Sequence, residues 1–268
     1  MKCFKRIMIA LLMVMLCFTT AAPGYARSAK RVKMNKLPGW ATTHIIAHAG
    51  GNAQGYSRTN SLEALTQTGN AHVKAVEIDF SITKDHQLIC THDWKRFGKV
   101  TDLNTFMSSK IYDTLTPMPA KQALTILNSK GKYLVVDAKS SPTNKVYKRL
   151  IQLCDTLNIP GYKKRIIPQI YSRPDYKRYK KIYNFPYGIL TLYRRTPMPA
   201  KRLRVFAKFC KKNNLVLTIS KKRYTPRNAK IIKKCGAVAA VHTVNTKKQY
   251  YKLRKRGAAI IYTDKLIW

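Results

Sequence analysis

The chain has 268 residues, 45% of them hydrophobic, with 52 Lys and Arg against 11 Asp and Glu for a formal net charge of +41. That length suits one domain with a full hydrophobic core, and the charge draws such a domain towards anionic surfaces while saying little about its fold. No nucleic-acid-binding motif accompanies the basic residues, and no pair of cysteines has the CxxC spacing of a zinc knuckle.

At the N-terminus, Lys2, Lys5 and Arg6 precede an apolar run from Ile7 to Phe18, followed by small residues and "PGYARSA". This order reads as a secretory signal peptide over residues 1–26, cleaved after Ala26 or, as second choice, after Ala22. The run is short for a bilayer span of roughly 20 residues, and no later stretch is long and apolar enough to cross a membrane. A secreted or surface-located bacterial protein is therefore expected. Residues 27–40 read as an extended basic lead-in, and residues 41–268 as the folded domain, expected to be a monomer. Export makes an anionic membrane surface or a phosphate-bearing wall polymer the expected partner, with no specific nucleic acid; a merely solvated basic shell is the bland alternative. Cys90, Cys154, Cys210 and Cys235 remain after cleavage. They allow three disulfide pairings, with buried free thiols as the competing state.

Short aliphatic runs then alternate with longer helical segments. The runs cover 44–50, 73–81, 133–139, 165–171, 187–193, 215–220, 238–244 and 259–264, and segments such as "NSLEALTQTGN", "NKVYKRLIQLCDTLN" and "PAKRLRVFAKFCKKN" lie between them. Alternation of this kind predicts right-handed βαβ units and a parallel sheet. Eight units in a domain of this size predict a TIM-type (β/α)8 barrel, with an open doubly wound sheet as runner-up. "LICTHD" (88–93) follows the second run after only "TKDHQ", too short for a parallel crossover, and so predicts a β-hairpin. A turn centred on Asp85-His86 would set Asp79 opposite His92 and Glu77 opposite Trp94.

Four of the 11 acids fall within residues 75–94: Glu77, Asp79, Asp85 and Asp93. Glu77 and Asp79, two apart on a strand, share a face, and Asp137 ends the next parallel run. Three convergent carboxylates repel one another, and a hard divalent cation, Ca²⁺ or Mg²⁺, relieves that cost. E-x-D alone is more often a solvated edge pair. His48 at the end of the first run and His92 at the end of the hairpin change the balance, because two histidines and several carboxylates at one barrel mouth suit acid–base chemistry beside a metal. Lys139 shares the face of Asp137 and is placed to neutralise a phosphate.

Taken in order, His48-Ala-Gly, "TNSLEAL", "EIDFSITKDHQLICTHD", "VVDAK", "HTVNT" and a closing "YTD" resemble the glycerophosphodiester phosphodiesterase family, TIM barrels related to the phosphoinositide-specific phospholipases C. The resemblance runs from about His44 to Asp264. It implies that Glu77 and Asp79 are metal ligands, that Asp137 stands where the family has Glu, and that Lys139 faces phosphate. It further implies that His48 and His92 are the catalytic pair, one acting as base on a glycerol hydroxyl or water and the other protonating the leaving alkoxide. Glycerophosphodiesters, phospholipids and glycerol-phosphate polymers are the implied substrates. Two positions depart from the pattern. Ala49 replaces the Arg of a His-Arg-Gly motif, and "RTNS" replaces Pro-Glu-Asn-Thr, which leaves Thr59 where a metal-site Glu is expected while Asn60 and Ser61 fit. Arg58, the basic residue of the loop 52–58, is then expected to supply phosphate contact. A catalytically inactive module that binds an anionic envelope polymer is the alternative these departures raise.

Overall fold

A computed structural model describes residues 37–192 and 198–267. The expected signal segment and most of the lead-in lie outside these residues. In chain order the elements are β1 (Ile45–Ala47), a small hairpin of β2 (Asn52–Ala53) and β3 (Tyr56–Ser57), α1 (Leu62–Asn70), β4 (Ala75–Ile82), β5 (Leu88–Cys90), α2 (Leu103–Ser108) and β6 (Met118–Pro119). They continue with α3 (Ala120–Ser129), β7 (Tyr133–Ala138), α4 (Thr143–Thr156), β8 (Ile166–Ile170), α5 (Arg173–Lys180) and β9 (Ile189–Thr191). The last are α6 (Ala200–Lys212), β10 (Val216–Ser220), α7 (Pro226–Lys234), β11 (Val238–His242), α8 (Lys247–Lys255) and β12 (Ile260–Thr263).

Strands β1, β4 and β7 to β12 pair in parallel, and the β1–β4 pairing closes them into an eight-stranded barrel. All eight predicted runs are barrel strands, so the fold is the (β/α)8 barrel and the open sheet is excluded. Period-2 alternation decides what fills it. Inside, Ile46, Ala75, Val135, Ile167, Ile189, Val216, Ala240 and Ile260 form one cluster with Trp40, which is fully buried. The alternate residues, among them Ile78, Val136, Leu190, Leu217 and Val241, pack outwards onto helix residues such as Leu65, Leu124, Leu150 and Leu203. Leu37 and Trp40, at the end of the expected lead-in, therefore belong to the packed barrel. Above the inner apolar layer, the same inward positions become polar: Glu77, Asp79, Asp137, Gln169, Thr191, Thr218 and His242.

The hairpin forms as predicted, but its register differs by one residue. Phe80 pairs with Cys90, Ser81 with Ile89 and Ile82 with Leu88, which moves the expected partners of Glu77 and Asp79. The cause is the turn. A two-residue hairpin turn of the favoured kind needs left-handed backbone at both central positions, and only His86 adopts it, with φ 63°. Lys84, Asp85 and His86 instead form a three-residue loop. Thr83 N–H donates to Gln87 O at 3.0 Å, Gln87 N–H donates to Thr83 Oγ1 at 2.8 Å, and the Asp85 carboxylate accepts from Leu103 N–H at 3.0 Å. The β4–β5 ladder ends at Cys90, so His92 and Trp94 lie beyond it and face neither Asp79 nor Glu77 across a strand pair.

The four cysteines form no disulfide. Cys90, Cys154 and Cys210 are buried thiols and Cys235 is half-buried.

Candidate active site

A cavity of about 130 Å³ opens at the carboxyl ends of the barrel strands. His48, Arg58, Asp79, His92, Asp137 and Lys139 line it from β1, β4, β7 and their loops, and Gln169, Tyr171, Thr191, His242, Thr243 and Tyr262 line it from β8 to β12. His92 and Asp79 line the same cavity although they are not partners in the ladder.

Glu77, Asp79 and Asp137 are all buried, and each offers an oxygen within 4.8 Å of the others. Their positions follow from strand period and register, since Asp79 and Asp137 are direct partners in the β4–β7 ladder. Each carboxylate is individually held. Ala49 N–H donates to Glu77 Oε2 at 2.7 Å, Asn60 Nδ2 donates to Asp79 Oδ2 at 2.9 Å, and Tyr171 OH donates to Asp137 at 2.6 Å. Lys139 Nζ bridges Asp79 at 2.9 Å and Asp137 at 2.7 Å. One ammonium does not balance three carboxylates. Burial and the charge of Asp79 push Glu77 up to about 8 against the pull of His48, and burial also raises Asp137 although Lys139 opposes it. Clustered hard oxygens with surplus negative charge fit a hard divalent cation.

The two histidines are set differently. His48 Nδ1 lies 2.7 Å from Asp264 Oδ1, and its Nε2 lies 3.9 Å from Glu77 Oε2. Burial works to lower the His48 pKa, but the Asp264 hydrogen bond and the charge of Glu77 outweigh it and leave it raised. Asp264 is buried yet held below the usual carboxylate range, because its bond to His48 and the Asn245 amide at 2.6 Å overcome burial. His92 is mostly exposed, with Nδ1 2.9 Å from Asp93 Oδ2, and Asp93 Oδ1 accepts from Lys95 N–H at 3.0 Å. In both pairs the carboxylate occupies Nδ1 and leaves Nε2 for proton transfer.

The remaining predicted residues separate. Arg58 lines the cavity with Nε 3.8 Å from Asp264. Asn60 is fully buried, and its amide oxygen accepts from Asp79 N–H at 3.0 Å, so both ends of the side chain serve Asp79 and neither lines the cavity. Ala49 contributes its backbone N–H alone. Thr59 Oγ1 donates to Ser61 Oγ at 3.0 Å and stays outside the carboxylate trio. Sequence reasoning assigned no role to Asp264, Asn245, Tyr171, Gln169 or His242. Asp264 and Asn245 stand in the quoted "YTD" and "HTVNT", the only local signal for them. Tyr171, Gln169 and Tyr262 join through barrel closure, with Tyr262 OH donating to Gln169 Oε1 at 2.9 Å.

Fold and mouth together define the class: a (β/α)8 barrel with a buried acidic trio and two carboxylate-held histidines at its carboxyl end. Within it, residues 48–131 match the Glycerophosphoryl diester phosphodiesterase family, and the resemblance carried by the sequence stands. The barrel resembles a phosphodiesterase from Oleispira antarctica solved with the product sn-glycerol-3-phosphate, at TM-score 0.65 and 15% identity over 82% of this chain and 92% of that one. It also resembles glycerophosphodiester phosphodiesterases from Thermotoga maritima (TM-score 0.62, 16% identity, 82% and 94% covered) and Parabacteroides distasonis (0.61, 19%, 82% and 92%). Among curated proteins none matches by sequence.

Proposed function

We propose that the protein is an exported, metal-dependent phosphodiesterase that hydrolyses glycerophosphodiester-type bonds with His48 and His92 as its acid–base pair. The observation that carries this reading is the juxtaposition of the Glu77–Asp79–Asp137 trio with the His48–Asp264 pair at the barrel mouth. Export rests on the N-terminal pattern of residues 1–26. Glu77, Asp79 and Asp137 would hold a Ca²⁺ or Mg²⁺ ion, which would supply Lewis-acid polarisation of the phosphodiester. The chain's own groups do the rest. Lys139 and Arg58 bring positive charge to the cavity, Asp264 and Asp93 fix the ring orientations, and the two Nε2 atoms move protons at the attacking hydroxyl and the leaving alkoxide.

The test gives the purified protein bis(p-nitrophenyl) phosphate and glycerophosphodiesters with Ca²⁺, Mg²⁺ or EDTA. Cation-dependent turnover that EDTA abolishes is the expected result, and His48→Ala and His92→Ala should each remove it without loss of fold. No turnover with any cation, with binding of anionic polymer retained, would select the non-catalytic module instead.

A further inference from the structure

From residue 176 to residue 263 the chain has 25 Lys and Arg and no Asp or Glu. That segment builds β9 to β12 with α6, α7 and α8, so one continuous sector of the barrel contains no carboxylate to neutralise its cations. The acids are gathered elsewhere: Asp85, Asp93, Asp102 and Asp113 follow β4 in the hairpin and the segment after it, and the trio lies beneath the cavity. The mouth is therefore electrostatically two-sided.

The basic side reaches the cavity itself. Lys221 N–H donates to His242 O at 2.8 Å, which seats the loop after β10 on the end of β11, where His242 and Thr243 line the cavity. Arg223 of that loop is fixed by donating from Nη1 to Leu192 O at 2.9 Å. Burial, followed by the charges of His48, Arg223 and Arg58, brings His242 down to about 4. Lys221, Lys222, Arg227 and Lys248 continue outwards as exposed residues on the loop after β10 and the first turns of α7 and α8.

Resting on the phosphodiesterase reading above, we infer that the β10–β11 side of the mouth is a binding track for a linear polyanion of repeated phosphodiesters, which feeds its bonds into the cavity past His242 and Thr243. A single small diester carries one negative charge and gains little from cations beyond the cavity. A row of cations leading away from the cavity gains attraction only from a ligand whose charge repeats along its length. Two other polyanionic partners fit less well. A bilayer-seated rim needs a continuous apolar edge, and of the large exposed apolar or aromatic side chains among the described residues this sector holds Val205 and Tyr251, on two separate helices. Nucleic acid bound as single strands uses stacked aromatic platforms, and the exposed Tyr56–Tyr112 stack has Tyr56 on the loop that carries Arg58 and neither ring on the loops after β10 and β11.

The experiment compares glycerophosphoglycerol, one repeat alone, with long-chain poly(glycerol phosphate) as substrates for the wild type and for Lys221→Ser/Lys222→Ser/Arg227→Ser/Lys248→Ser. These four are exposed and take no part in the catalytic set. For the variant the KM on the polymer should rise about tenfold at low salt and lose much of its salt dependence, while kcat and the KM on the single repeat stay at wild-type values. Equal KM values for repeat and polymer in both proteins would overturn the track. So would loss of binding to phosphatidylglycerol vesicles or to an oligonucleotide with the polymer KM unchanged, which would hand the surface to a membrane or to nucleic acid. If nothing is turned over, the phosphodiesterase reading fails by itself, and polymer binding in EDTA decides the track: loss in the variant supports it, and unchanged binding overturns it.

Discussion

Asp264, just past the barrel's last strand, bonds His48 at the end of its first, and that bond gives His48 both an orientation and a raised pKa. Asp264→Asn leaves an amide of the same shape but removes the charge. The expected outcome is a fall in kcat of about 100-fold, with the limb of the pH–rate profile set by His48 moved to lower pH because burial is then less opposed. A variant with wild-type kcat and an unmoved limb would show that the pair only holds the fold. His242 makes a separate prediction. Its folded pKa of about 4 lies below the ordinary 6.5, so between those values the unfolded chain binds more protons. Stability should therefore rise with pH across that window, by up to about 3 kcal/mol from this residue. Urea unfolding of the metal-free protein at pH 4, 5, 6 and 7 should show a shallower rise for His242→Gln, and equal slopes would refute the assignment. The E-x-D spacing and Asp137 were legible because strand period puts them at one mouth, whereas His48 and His92 were legible as residues that follow β1 and β5. Asp264, Tyr171 and His242 were not, since barrel closure, rather than sequence spacing, brings each to its neighbours.

The segments between the strands decide how these residues arrive. After His48 the backbone turns through Gly50 and Gly51, with φ of 80° and 104°. Both favour glycine, but their surroundings differ. A Cβ on Gly50 would meet nothing nearer than 3.7 Å, whereas one on Gly51 would lie 2.3 Å from Thr68 Oγ1 and 2.8 Å from Ile267 Cδ1. Thr68 cannot give way cheaply, because its hydroxyl donates to Gly50 O at 2.7 Å. Gly50→Ala should cost about 1 kcal/mol through backbone strain alone, and Gly51→Ala about 3 kcal/mol through strain plus the clash. Chemical denaturation of the two variants checks the order, and equal losses would mean that Thr68 and Ile267 yield freely. At this scale the hairpin after β4 was legible and its register was not. Asp85-His86 read as a two-residue turn, while the Thr83 hydroxyl and the single left-handed residue, His86, favour a loop of three. His92 lines the cavity despite that difference because it lies past the end of the ladder, where strand register no longer sets its direction.

At the scale of the whole molecule, eight aliphatic runs with helices between them are enough to imply a closed parallel barrel, since the inward alternation needs a shared interior and Trp40 fills its base. What the runs do not contain is the balance of charge that closure creates. Three buried carboxylates face one ammonium, and a divalent cation that binds only the folded chain must add to its stability. At a hundredfold excess over its dissociation constant that gain is about 2.7 kcal/mol. Asp137→Asn separates this electrostatic account from simple packing. Asp137 is itself raised in pKa, chiefly by burial, so its charge is unfavourable in the metal-free fold. The amide keeps an oxygen that can accept from Tyr171 OH while relieving the repulsion from Asp79. In EDTA the variant should therefore melt no lower than the wild type. In saturating Ca²⁺ or Mg²⁺ the order should reverse, because the variant has lost one of three charged donors. Thermal melts followed by circular dichroism, with and without cation, give both comparisons without any substrate. If the cation-induced shift is as large in Asp137→Asn as in the wild type, Asp137 is not a ligand, and the surplus charge at the mouth is balanced by the basic residues around it.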